Sequence, residues 1–264
     1  MPTVEVIKVY ADGTGHYSAL KTAIDANRQD LVVADKCLVF ELKGSINHTG
    51  SYIELSAYTT SSNCNITIRP VDGDEAKSTP GSATSYSSNT YFLVCRDKHV
   101  NIHNLEITGS ALEAHSASNT TFHSCLIYDF KSSITSSIGA YFYNCIMFDC
   151  GVSNDVGGNG IYIKRGALHR CTLIASTEYG GYNGQIITRY SDGVITQTII
   201  VNETLGGYEN FFQCTNANND YNADNEGEAP GENNFTASLN DFEDPASNNY
   251  NLKNTSPLFT AGPS

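Results

Sequence analysis

The segments HVNIHNLEI (99–107), TTFHSCLI (120–127), AYFYNCIM (140–147), GALHRCTL (166–173) and GVITQTII (193–200) repeat one pattern five times. Aligned on Leu105, Cys125, Cys145, Cys171 and Thr198, they are spaced by 20, 20, 26 and 27 residues. Three residues before each anchor stand Ile102, Phe122, Phe142, Leu168 and Ile195; two after it stand Ile107, Ile127, Met147, Leu173 and Ile200. Inward residues thus fall at i, i+3 and i+5. Strict alternation would describe one strand, whereas a skip of three describes two short strands joined by a tight bend. The bends carry His103-Asn104, His123-Ser124, Tyr143-Asn144, His169-Arg170 and Thr196-Gln197. Asn tolerates the left-handed backbone that such a bend requires. A repeat of this length, built from β-type residues with no helix between copies, is the signature of a coiled β-solenoid. Successive coils lie about 4.8 Å apart, so like positions form columns. The anchors are expected to form a core column, with His103, His123, Tyr143 and His169 in an outward column beside it.

Working outward from the repeats, VEVIKVY (4–10) alternates as a first strand, and Asp12-Gly13 with Gly15 makes a turn. Ser18 is expected to cap a helix whose apolar face holds Leu20, Ala23 and Ile24. Such a helix would cover the open end of the solenoid, where bare strand edges invite pairing with other chains. CLVFELKG (37–44), SYIEL (51–55) and NITIRP (65–70) read as strands, 72–89 as a surface loop, and 91–95 as a return to the helix. A last coil is expected at 211–214. Beyond it lie a polar acidic loop and the segment NNYNLKNTSPLFTAGPS (248–264). The expected organisation is one all-β domain: strand and capping helix over 1–30, β-helix over 31–215, and acidic loop with polar closing segment over 216–264.

These features together resemble the right-handed parallel β-helix of pectate-lyase-like proteins, and the handedness is implied by that resemblance. The glycine turn leading into a helix is similar to the opening of pectin methylesterases and other β-helix proteins. The first coils through NITIRP resemble lyases of the chondroitinase B and alginate-lyase type. The C-terminal segment resembles closing segments that lie over the last coil.

Composition narrows the function. Only 16% of residues are charged, and the net charge is −13, the wrong sign for a duplex-binding protein. No stretch approaches the roughly 20 apolar residues of a membrane span, and the first residues lack the basic head and apolar run of a signal peptide. Of the eight cysteines, Cys125, Cys145 and Cys171 share one column with parallel Cβ directions, which disulfide geometry does not allow. They read as small buried hydrophobes with free thiols, suited to a reducing compartment.

Three constellations carry candidate chemistry. Lys164 and Arg189 stand one repeat apart. The lyase resemblance implies a base that abstracts the α-proton of a uronate and a cation that polarises its carboxylate, and solvated side chains on an outer face are the alternative. Asp220, Asn222, Asp224 and Glu226 alternate like part of a calcium loop, but the twelfth position is Gly231 where a bidentate Glu belongs. The column His103, His123, Tyr143 and His169 is a candidate face for sugar rings or a partner chain. No cofactor is expected, with Ca2+ the weak exception.

The chain also resembles β-helical phage virion proteins. That resemblance implies a non-enzymatic capsid-decorating, fibre or tail surface protein, made in the bacterial cytoplasm and placed on the virion surface. Its partners would be itself, as a trimer, other virion proteins and surface polysaccharide. The alternative is a polysaccharide lyase or carbohydrate-binding β-helix protein acting on uronate-containing glycans.

Overall fold

The computed structural model describes residues 1–49, 53–55, 57–77, 79–81, 83–91, 93–94, 98–114, 119–130, 134–136, 140–150, 161–163, 166–175, 186–187, 193–202, 222–224, 229 and 233–260. The chain winds into a parallel β-helix. A first sheet stacks eight strands in parallel: Thr3–Tyr10, Lys36–Lys43, Ile66–Pro70, His99–His103, Asn119–His123, Ala140–Tyr143, Gly166–His169 and Gly193–Thr196. A second sheet stacks Ser45–His48, Ser85–Tyr91, Glu106–Ala114, Leu126–Phe130, Ile146–Cys150, Thr172–Ala175, Ile199–Asn202, Ala223–Asp224 and Phe235–Thr236. A third ladder runs from the end of Glu106–Ala114 through Ile134–Ser136, Ile161–Ile163 and Ile186–Ile187. The first strand is a full rung, paired from Thr3↔Lys36 to Tyr10↔Lys43, so the ladder begins at Thr3.

Each repeat makes two strands and a bend. The second residue of every bend pair is left-handed: Asn104, Ser124, Asn144, Arg170 and Gln197 have φ between 52 and 54°. For Ser, Arg and Gln that backbone costs on the order of 1–2 kcal/mol. Hydrogen bonding between rungs offsets it. The Asn104, Ser124, Asn144 and Arg170 amides donate to the carbonyls of His123, Tyr143, His169 and Thr196 on the next rung, at 2.9–3.0 Å. Just past the bend, Leu126, Ile146, Thr172 and Ile199 donate back to the preceding rung, to Leu105, Cys125, Cys145 and Cys171. The bend column is thereby saturated on both sides.

All fifteen inward positions read from the repeats are buried. Phe122 and Phe142 stack at 4.7 Å in one inward column. In the anchor column each thiol points at a carbonyl one rung back: Cys125 at Ile102, Cys145 at Phe122 and Cys171 at Phe142, at 3.7, 3.6 and 3.4 Å. Cys37, Cys64, Cys125, Cys145 and Cys171 are free, and burial pushes the Cys145 thiol well up. Past Thr198 the column continues with Asn222. Its carboxamide accepts from the Thr198 amide at 3.1 Å and donates to the Ile195 carbonyl at 2.9 Å.

At the amino end a helix, Leu20–Ala26, buries Leu20, Ala23 and Ile24, as its pattern predicts. Ser18 is not its cap. The N-cap is Ala19, in extended backbone, with no side-chain bond. The side-chain cap belongs instead to a second short helix, Leu31–Ala34, where the Asp30 carboxylate accepts from the Val32 and Val33 amides. Among the described residues no helix is long and apolar enough to cross a membrane.

Two expectations need correction. The loop expected over 72–89 ends at 84, while the return expected at 91–95 does hold a strand, Leu93–Val94; from 85 the chain runs as Ser85–Tyr91, which pairs with Ser45–His48 and with Glu106–Ala114. Its outward side chains form hydroxyl contacts, such as Ser85 to Ser45 at 3.2 Å, while Tyr86 is fully buried. Within 51–55 the described strand is Ile53–Glu54, paired with Leu93–Val94. Second, the C-terminal segment does not simply lie over the last coil. Ala237, Phe242, Tyr250 and Leu258 pack on the outer flank of the second sheet, against Leu126, Phe148, Ile174 and Val201. Phe148 and Tyr250 rings meet at 5.3 Å. This flank is a second apolar core. The expected coil at 211–214 lies outside the described residues.

Candidate functional site

Register places the outward residues of the first sheet in two long columns. One runs Lys8, Glu41, Arg69, His103, His123, Tyr143, His169 and Thr196; the other runs Val6, Val39, Thr67, Asn101, Thr121, Tyr141, Ala167 and Val194. The expected column of His103, His123, Tyr143 and His169 is therefore brought together. His103 and His123 stack at 4.9 Å, and His123 and Tyr143 at 4.8 Å. Tyr143 meets His169 edge-on at 6.0 Å, and His169 Nδ1 lies 2.6 Å from Thr196 Oγ1. Rings spaced like the rungs stack because each strand repeats the same residue type at the same place.

Arg69, in the same column, is held by Glu41 at 3.4 Å and Asp72 at 3.6 Å. Burial holds His103 below the ordinary histidine value, helped by His123 and Arg69. Burial does the same to His123, and burial with Arg170 to His169. The imidazoles are thus tuned to remain neutral while stacked. As pH falls through the ordinary histidine value of 6.5, the unfolded chain takes up these protons before the folded one. Stability is therefore complete above that value and lost below it. The melting temperature is expected to fall between neutral and mildly acid pH, and replacing His103 and His123 by Phe should remove most of that fall. An unchanged pH slope in the double variant would assign the loss to other groups.

Beside the ring column lies a groove of about 340 Å3. Its walls are Asn65, His99, Asn101, Asn119, Thr121 and Tyr141, with Tyr143 at its border and Ser62 at its end. Thr121 Oγ1 donates to Asn101 Oδ1 at 2.7 Å, and Asn119 Nδ2 lies 3.3 Å from His99 Nε2. Amides, hydroxyls and phenols on a concave face can bind a polyhydroxylated ligand by hydrogen bonding and ring stacking. The sequence reading missed Asn101, Thr121 and Asn119, although Asn101 and Thr121 stand two residues, and Asn119 four, before the ring-column positions His103 and His123. A larger depression, about 570 Å3, lies between Lys77 and Asn251 over Leu126 and Ile146. Among the described residues Lys77 is its one charged residue.

The other expected sites fare differently. Lys164 and Arg189 lie outside the described residues. The strands leading to them, Ile161–Ile163 and Ile186–Ile187, pair with Ile161 opposite Ile186 and Tyr162 opposite Ile187. Of the calcium candidates, Asp220 and Glu226 lie outside the described residues, and Asp224 is described only as part of a strand. Asn222 is corrected: it is fully buried and its carboxamide is engaged with the Thr198 and Ile195 backbone, so it faces the core and not a cation. Among the described residues no group of three or more His, Cys, Asp or Glu is placed to hold a metal ion.

No protein-family model matches the chain. No curated protein matches it either. Among solved structures it is similar to pectate lyase Pel9A, at 12% identity and a TM-score of 0.46, over 100% of this chain and 92% of that chain. By its own strand ladders the protein is a parallel β-helix.

Proposed function

We propose that the protein is a glycan-binding β-helix that uses the outer face of its first sheet, and that it serves as a surface component of a phage particle. The observation that carries the glycan reading is the groove walled by Asn101, Asn119, Thr121 and Tyr141. It offers donors, acceptors and a phenol on a rigid stack, so little ordering entropy is lost on binding. The virion setting draws support from the resemblance noted in the sequence, the net charge of −13 and the free thiols, which suit a reducing cytoplasm. Calorimetry against a panel of oligosaccharides tests the binding. Binding to at least one class, weakened about tenfold by Tyr141→Ala, is expected; absence of binding to every class sinks the reading. Light scattering tests the assembly expected of a virion subunit, with a trimer the predicted result and a monomer that binds no particle the refuting one.

A second reading, polysaccharide lyase, is favoured by the in-register pairing of the strands that lead to Lys164 and Arg189. Its test is growth of the ultraviolet absorbance of an unsaturated uronate, abolished in Lys164→Ala.

A further inference from the structure

We infer that the groove takes an uncharged glycan laid along the solenoid axis, one sugar unit per rung, and discriminates against uronate polymers. This rests on the glycan-binding reading and names the ligand class for that site.

The direction follows from how the polar groups recur. They come from four consecutive rungs: Asn65 before Ile66–Pro70, Asn101 on the next, Thr121 on the next, and Tyr141 on the fourth. Rungs repeat about every 4.8 Å, so the trough is about 14 Å long. Along a single strand the outward positions alternate with core residues, and each rung offers only two or three groups. Along the axis the offer repeats at every step. Two ladders, His99 with Asn119 and Asn101 with Thr121, run side by side in that direction. Thr121 occupies the Asn101 carbonyl oxygen. Among the described residues nothing takes the Asn101 Nδ2 protons, which leaves a donor for a sugar hydroxyl. Tyr141 is followed in its column by Ala167, so the phenol has no bulky neighbour there and an apolar sugar face can lie beside it.

The charge preference follows from what is missing from the walls. Among the described residues no carboxylate, ammonium or guanidinium lines the groove. The nearest guanidinium in the adjoining column, Arg69, is already shared by Glu41 and Asp72. The molecule as a whole carries −13. A polyuronate would give up carboxylate hydration and approach a like-charged protein with no cation among the described wall residues to receive it. A neutral hydroxylated chain exchanges water for amides and hydroxyls of similar strength.

The test is calorimetry with neutral tetrasaccharides (cellotetraose and chitotetraose) beside tetragalacturonate and a mannuronate tetramer, at low and high salt. At least one neutral ligand is expected to bind about tenfold more tightly than either uronate, with no salt dependence. Affinity is expected to rise from disaccharide to tetrasaccharide, and Asn65→Ala should erase the gain from the last unit alone. Asn101→Ala should weaken every length, while its melting temperature stays at the wild-type value. Tight, salt-sensitive binding of a uronate with none of the neutral chains would overturn the inference and leave glycan binding standing. An Asn65→Ala effect equal at all lengths would overturn the axial pose. Binding of neither class would overturn both the inference and the reading beneath it.

Discussion

Gly166→Ala is expected to destabilise the protein by on the order of 4 kcal/mol, read as a shifted denaturation midpoint. Gly166 has φ +154°, and a Cβ built there would sit 1.9 Å from the Ala140 carbonyl oxygen. That oxygen is backbone of the neighbouring rung, so relief requires two rungs to separate or twist. The inward column leading to it narrows rung by rung: Val100, Thr120, Ala140, Gly166, Gly193. Gly73→Ala is the control. Its φ is also positive, at +94°, but nothing lies within 4 Å of the added carbon, so only the backbone term remains, about 1 kcal/mol. Equal losses in the two variants would show that the close approach at Gly166 does not exist.

Phe142→Ala is the second large effect, expected at about 3–5 kcal/mol. The ring is 1% exposed, stacks on Phe122 at 4.7 Å and lies in register with Leu168. Its neighbour Tyr141 points outward and should cost about 1 kcal/mol or less when truncated. The pair is a parity test. A one-residue slip would exchange the two faces, so a larger loss from Tyr141→Ala than from Phe142→Ala would reverse the inward assignment of the whole column, and with it the glycan face.

The repeat was legible because the two faces of the first sheet differ in chemistry. Phe122 and Phe142 alternate with Thr121 and Tyr141, and a left-handed bend recurs at a fixed place whether it holds Asn, Ser, Arg or Gln. What defeated the sequence reading were elements without that contrast. The strand Ser85–Tyr91 carries the fully buried Tyr86 beside small hydroxyl residues, with Ser85 meeting Ser45 across the ladder, so it reads as loop. The second apolar core was overlooked although its signal was present. Ile127-Tyr128, Met147-Phe148, Leu173-Ile174 and Ile200-Val201 are consecutive apolar pairs, and a strand apolar on both faces is covered on both. Glu106 was equally hidden. It is 1% exposed because Gly81 and Tyr128 reach its carboxylate from the loop and the next rung, a contact no local pattern foretells. The groove beside the ring column is built largely from residues that are 20 apart in sequence and adjacent in space, such as Asn101, Thr121 and Tyr141, so only the register assembles it.

The saturated bend has a consequence for how this molecule tolerates change. Anchor spacing grows from 20 to 26 and 27 residues, yet strand, bend and anchor keep the same internal count in every copy. All the extra length falls between Cys150 and Gly166 and between Ala175 and Gly193, on the stretches that carry the chain back to the next rung. The molecule is therefore divided into a metered part and an unmetered part. One residue added at a bend would put the second strand of that copy on the wrong face, whereas a whole peptide grafted after Phe130 or Ala175 would enlarge the surface and leave the ladder in step. Novelty in such a chain enters from the side, and the spine records none of it.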